Sequence, residues 1–164
     1  MKNTLTAREL TDLVRRVFAP TDRDRNLAIL VDLPDAQLPD NPEWEARRSM
    51  ACGWAQVLKE ASGEHGLEVS LVLYRNVRAN NADLPEEAYI CRSLPQTAGD
   101  LDQIGNSLPF VRIFTEWQLF LAPTEYSATA PLKVAAKEFG FRAATMPGFS
   151  RAMIPALKID YNEV

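Results

Sequence analysis

The chain has 164 residues, 46% of them hydrophobic and 24% charged, with a formal net charge of −4. That length suits one domain with a real hydrophobic core, and the composition excludes disorder as the general state of the chain. The acidic balance argues against nucleic acid as a partner, and no apolar run approaches the roughly 18 residues that span a membrane.

The first predicted element is a helix. Thr6 and Glu9 have capping-box spacing, with Leu5 and Leu10 placed as a hydrophobic staple around them. Leu10, Leu13, Val14 and Val17 repeat at helical spacing, and Pro20 lies just beyond the end. Leu27-Ala28-Ile29-Leu30-Val31 is a short continuous apolar run closed by Asp32 and Pro34, the pattern of a strand buried on both faces. The loop from Pro34 to Pro42 reads as extended and exposed. Asn41 then caps a second helix that has Pro42 at its first position. Met50, Ala51, Trp54, Val57, Leu58 and Ala61 mark its apolar face, with Glu45, Arg48 and Lys59 off it, and Gly63 and Gly66 end it. Val69 to Tyr74 is a second buried run.

Residues 75–106 sustain no period; Asn80, Asn81, Pro85, Pro95 and Gly99 punctuate them. Ser107 and Pro109 suggest the start of a short helix that uses Phe110, Ile113 and Phe114. Gln118 to Ala122 is a third strand, broken by Pro123. Thr129 and Pro131 start a helix through Leu132, Ala135, Ala136 and Phe139 to a terminal Gly140. Phe141 to Met146 is a fourth strand, and Pro147-Gly148 turns into a last helical segment from Ser150. Helices between buried strands predict parallel pairing with right-handed crossovers. The expectation is a single α/β domain over residues 1–164. It has a three-layer doubly wound sheet, mainly parallel, with strands at 27–33, 68–74, 118–122 and 142–146 in order 2-1-3-4.

Few residues suggest chemistry. Cys52 and Cys91 have no C-x-x-C spacing, which points to neither a disulfide framework nor a zinc knuckle, and the natural setting is a reducing cytoplasm. The start, Met1-Lys2-Asn3-Thr4, lacks the flank and core of a signal peptide. His65, the single histidine, reads as a solvated turn residue at a helix end. One histidine cannot build the usual zinc sites, although composition leaves an all-carboxylate magnesium site open. Gly148-Phe149-Ser150-Arg151-Ala152 superficially resembles a nucleophile elbow, but Ala152 replaces the second glycine and no histidine follows; Ser150 reads as a helix cap. No glycine-rich phosphate loop follows any strand. Asp32 has the position of a receiver-type acceptor without the acidic cluster and distal lysine such a site needs. Pro123-Thr124-Glu125-Tyr126-Ser127-Ala128-Thr129 is the more informative stretch. It lies at the carboxyl end of a central strand, where open α/β sheets gather ligands, and its bland reading is loop and capping chemistry.

Leu121-Ala122-Pro123-Thr124-Glu125-Tyr126-Ser127-Ala128-Thr129-Ala130-Pro131, Phe141 to Gly148, and the ending from Met153-Ile154 to Asp160-Tyr161 together resemble the amino-terminal domain of the aminopeptidase T family, the thermophilic-type leucyl metalloaminopeptidases. The resemblance is strongest over residues 118–164, extends to 27–75 and is absent over 84–106. It implies a doubly wound amino-terminal domain followed by a catalytic domain in which glutamates, histidines and an aspartate hold two metal ions. It also implies that this catalytic metal domain begins where the present chain stops, so that no cofactor and no metal ligand belongs to residues 1–164. The family also includes iron-dependent ring-opening dioxygenases of pyridine diols, and Glu125 stands where a neutral residue is more usual.

Two functional expectations follow. One is the non-catalytic amino-terminal domain, or split-gene product, of a leucyl aminopeptidase-like metalloprotein, in a scaffold or substrate-side role. The other is a free-standing small-molecule-binding module that uses the carboxyl edge of the sheet. The expected partners are a second copy of the chain or a separate catalytic domain, and a small acidic ligand. The residues expected at a ligand are Asp32, Thr124, Ser127, Thr129 and Thr145, all at or just beyond the carboxyl ends of predicted strands. No catalytic residue is expected.

Overall fold

The capping box at Thr6 forms as its spacing requires. In the computed structural model, which describes residues 4–95 and 97–158, the Glu9 N–H donates to the Thr6 hydroxyl at 3.1 Å and the Thr6 N–H to the Glu9 carboxylate at 3.1 Å. The ending near Asp160-Tyr161 and the residues Met1-Lys2-Asn3 lie outside the described residues. Helix α1 (Ala7–Phe18) buries Leu10, Leu13, Val14 and Phe18. Strand β1 (Asn26–Leu33) is buried at every residue from Leu27 onward, Asp32 included, which is why its sequence shows no polar alternation. Asn41 caps α2 (Pro42–Glu60) by accepting the Trp44 N–H at 2.9 Å. A single turn, α3 (Ser62–His65), ends at Gly66, whose φ of 74° is a left-handed value that a side chain would oppose. Strand β2 (Glu68–Arg75) follows.

The segment without a period holds structure that its residues do not advertise. Strand β3 (Glu87–Cys91), a 3-10 turn at Ala98–Asp100, α4 (Leu101–Ile104) and β4 (Gly105–Pro109) all lie within or just beyond it. Ser107 opens no helix; it belongs to β4 and pairs with Tyr89. Helix α5 (Phe110–Glu116) starts at Phe110 without a side-chain cap. Then come β5 (Leu119–Ala122), α6 (Thr129–Phe139), β6 (Arg142–Thr145), a 3-10 turn at Arg151–Met153 and α7 (Ile154–Leu157).

Among the described residues the sheet has six strands rather than four, in the order β4-β3-β2-β1-β5-β6. β1 lies parallel to β2 on one side and to β5 on the other, and β6 lies parallel to β5. The four segments predicted as strands thus form the parallel portion in the expected relative order. The correction is the added pair: β3 runs antiparallel to β2 and β4 antiparallel to β3, so the sheet is mixed. The physical reason is that β3 and β4 are short and β4 carries glycine, asparagine and proline, residues depleted in strands. Such a strand survives at the rim of a sheet, where pairing on one side suffices.

Each face of the sheet is covered. On one side Leu27, Ile29, Val31 and Leu33 pack with Leu10, Val14, Trp54 and Leu58 of α1 and α2, and with Phe149 and Ile154. On the other, Ala28, Leu30, Val72 and Phe120 pack with Phe110, Phe114, Leu132 and Phe141. Alternation along β1 therefore divides it between two cores. Arg48, expected off the apolar face of α2, is buried, because Asp40 takes its guanidinium bidentately at 2.8 and 2.6 Å.

Candidate functional site

At the carboxyl edge of the parallel strands, the loop after β5 is a hub. Asp32, near the end of β1, is fully buried and its two carboxylate oxygens accept the backbone N–H of Glu125 at 2.8 Å and of Tyr126 at 3.0 Å. Burial pushes the Asp32 carboxyl above the usual aspartate value, with the negative charge of Glu125 adding to it, while those two N–H groups oppose the shift. Its backbone carbonyl accepts the Trp44 indole N–H at 3.1 Å, and the Trp44 ring meets Tyr126 edge-on at 6.0 Å.

Thr124 is also fully buried; its hydroxyl donates to the Tyr126 carbonyl at 2.6 Å, and its carbonyl accepts the Gly148 N–H at 2.9 Å. Ser127 reaches the loop after β2. Its N–H donates to the Asn80 side chain at 2.9 Å, its carbonyl accepts the Asn81 N–H at 2.7 Å, and its hydroxyl lies 3.3 Å from the Asn81 side chain. The same hydroxyl donates to Thr129 Oγ1 at 2.9 Å, and Thr129 Oγ1 lies 2.8 Å from Thr145 Oγ1. The structure therefore brings Ser127, Thr129 and Thr145 into one chain of hydroxyls. Asp32 and Thr124 sit beneath that chain, each engaged with the backbone of the same loop. The cap of α6 is Ala128, which makes no side-chain bond, so the Thr129 hydroxyl serves the chain of hydroxyls and not the helix end.

Sequence reasoning missed three participants. Arg47, on α2 and 3% exposed, donates Nε to the Phe149 carbonyl at 2.7 Å and Nη1 to the Glu125 carboxylate at 3.1 Å. Asn80 and Asn81 read only as turn punctuation, although Asn81, at φ 63°, shows the tolerance of left-handed backbone that asparagine supplies. The available signal for Arg47 was its spacing from Trp44 and Ala51, which puts it on the buried face.

The other candidates resolve as structural groups. His65 is half-buried: its Nδ1 accepts the Leu67 N–H at 3.0 Å and its Nε2 lies 2.7 Å from the Leu58 carbonyl, so both ring nitrogens are engaged with backbone. Ser150 stands in extended backbone before the 3-10 turn and makes no side-chain cap. Cys52 and Cys91 are free, and burial raises both thiols, Cys91 to about 11. Among the described residues no three His, Cys, Asp or Glu side chains converge in a way that could hold a metal ion. No described helix is long and apolar enough to cross a membrane.

Beside the hydroxyl chain, a groove of about 530 Å³ runs between β6 and α6, bordered by Thr129, Thr145, Lys133, Lys137 and Arg142. Its lining includes these three cationic side chains and no carboxylate. No family model matches the chain, and no curated protein and no solved structure matches it.

Proposed function

We propose that this chain is a non-catalytic α/β scaffold domain, the amino-terminal or split-gene partner of a leucyl aminopeptidase-like metalloprotein. The observation that supports this reading is the closed hydrogen bonding of the carboxyl edge. Asp32 and Thr124 are buried and hold the loop after β5, and Ser127, Thr129 and Thr145 bond to one another or to Asn81. Groups engaged in this way shape a loop; none is a nucleophile paired with a base. The testing experiment is an assay of the purified chain on a leucine amide substrate with added zinc, manganese or cobalt. No hydrolysis above buffer is expected, and hydrolysis abolished by chelator would overturn the reading.

A second reading, a module that binds an acidic ligand at the same edge, is favoured by one observation. The Thr129 and Thr145 hydroxyls border a groove whose other polar side chains are Lys133, Lys137 and Arg142, with no carboxylate among its lining residues. Titration with succinate, followed through the amide resonances of the groove, tests it; saturable shifts there are expected, and their absence at millimolar concentration would overturn it.

A further inference from the structure

We infer that β6 is a docking edge for an extended acidic peptide segment, which adds to the sheet as a seventh strand and lays alternate carboxylates over α6. This rests on the second reading, that an acidic group is held beside Thr129 and Thr145, and adds backbone pairing to it.

The backbone register carries the first part. Among the described residues β6 is the last strand of the sheet on its side. The Arg142 N–H donates to the Gln118 carbonyl at 2.9 Å and the Met146 N–H to the Ala122 carbonyl at 3.0 Å. In a parallel pair the N–H and C=O of one residue point to the same side and successive residues alternate. Arg142, Ala144 and Met146 thus face β5, and Ala143 and Thr145 direct their N–H and C=O groups away from the sheet. Among the described residues these outward groups have no hydrogen-bond partner. A row of such groups is a template for strand addition.

Charge carries the second part. In a chain of net charge −4, the groove beside this edge is lined by Lys133, Lys137 and Arg142 and by no acid. Arg142 is paired with Asp24 at 2.6 Å. Lys133 and Lys137 are exposed and have no ion pair among the described residues, which leaves two positive charges for an incoming partner. Their spacing suits a strand. Four residues of helix rise about 6 Å, and two residues of strand advance about 6.6 Å. A β5–α6–β6 crossover sets the helix roughly along the strands. A segment with Glu or Asp at every second position would therefore match both lysines while its backbone pairs with Ala143 and Thr145. A small dicarboxylate would meet the lysines but leave the strand groups unpaired, so the extended segment is favoured.

The experiment uses the full chain and a fluorescein-labelled peptide of alternating glutamate and valine flanked by serines, with a lysine-for-glutamate peptide as control. Anisotropy and amide chemical shifts are read together. Expected are saturable binding that weakens at least tenfold in the K133E/K137E variant, and amide shifts at Ala143 and Thr145 on adding the acidic peptide only. The two lysines are exposed, so the charge-reversed protein should fold as the wild type does, with an unchanged far-UV spectrum. Equal binding by the variant, equal binding of the control peptide, or shifts at Ala143 and Thr145 on raising protein concentration alone would overturn the inference. If succinate perturbs the groove while the peptide leaves the Ala143 and Thr145 amides unmoved, strand addition fails and the acidic-ligand reading survives. If neither ligand perturbs the groove, both fail.

Discussion

The Asp32 carboxylate accepts the backbone N–H of Tyr126 at 3.0 Å across 94 residues of sequence. With the neighbouring bond from Glu125 at 2.8 Å, it fixes the loop after β5 to the end of the central strand. A change in the charge of Asp32 is therefore felt as a change in the anchoring of the Tyr126 backbone.

This makes Asp32 a source of pH dependence. Its folded-state value is raised, chiefly by burial. The fold then binds a proton more readily than the unfolded chain in the interval between the ordinary aspartate value and the raised one. Stability from this group is greatest below that interval, declines as pH rises through it, and is level above it. The stability of the wild type minus that of Asp32→Asn, from urea unfolding at a series of pH values, should increase as pH falls from 7 towards about 4. A difference that stays level or falls on acidification would contradict this.

Thr124→Ala should destabilise the fold by about 1–2 kcal/mol, because it leaves the half-buried Tyr126 carbonyl without its donor and opens a small void at a buried position. Thr124→Ser keeps the hydroxyl and should recover most of the loss. Denaturant midpoints of the two variants check this, and equal losses would show that the methyl group and not the hydrogen bond matters.

Tyr74 makes the opposite prediction. It is fully buried, meets the Phe110 ring edge-on at 5.7 Å, and its hydroxyl has no partner among the described residues. Burial and the charge of Asp32 hold that hydroxyl well above the usual tyrosine value. Tyr74→Phe removes an unsatisfied polar group and keeps the ring, so it should stabilise the protein by about 1 kcal/mol. A thermal midpoint higher by about 2–4 °C is the expected reading.

Arg47→Met should cost about 2 kcal/mol. It removes the donor to the Phe149 carbonyl together with the buried guanidinium that pairs with Glu125, whose carboxylate, at 24% side-chain exposure, loses that partner. Glu125→Gln should cost less, about 1 kcal/mol, because a neutral acceptor remains. A double-mutant cycle on the two positions gives their coupling, and a coupling near zero would leave Phe149 as the only important contact.

What could be read from the sequence follows from where each signal resides. Leu27 to Val31 and Val69 to Tyr74 are buried on both faces, and continuous apolar runs say so. Thr6, Asn41 and Gly140 mark helix ends through local chemistry that needs no tertiary partner. β4 gave no signal because pairing with β3, not side-chain pattern, makes Gly105–Pro109 a strand. The loop after β5 stood out by its hydroxyls, but the ties to Arg47, Asn80 and Asn81 arise only when distant segments meet. Arg48 is the clearest lesson of this kind. Spacing puts it off the apolar face of α2, and a bidentate partner eight residues upstream takes it inside.

The place of β1 has a consequence for how the protein is made. Its eight residues pair with β2 soon after both are synthesised, but its other neighbour is Leu119–Ala122. Until that short strand emerges from the ribosome, a strand with a continuous apolar run from Leu27 to Val31 has an open side. An edge of this kind is the one most prone to join another chain. Nascent fragments that end before residue 119 should therefore be the species that aggregate, and chaperone demand should fall once β5 closes the gap.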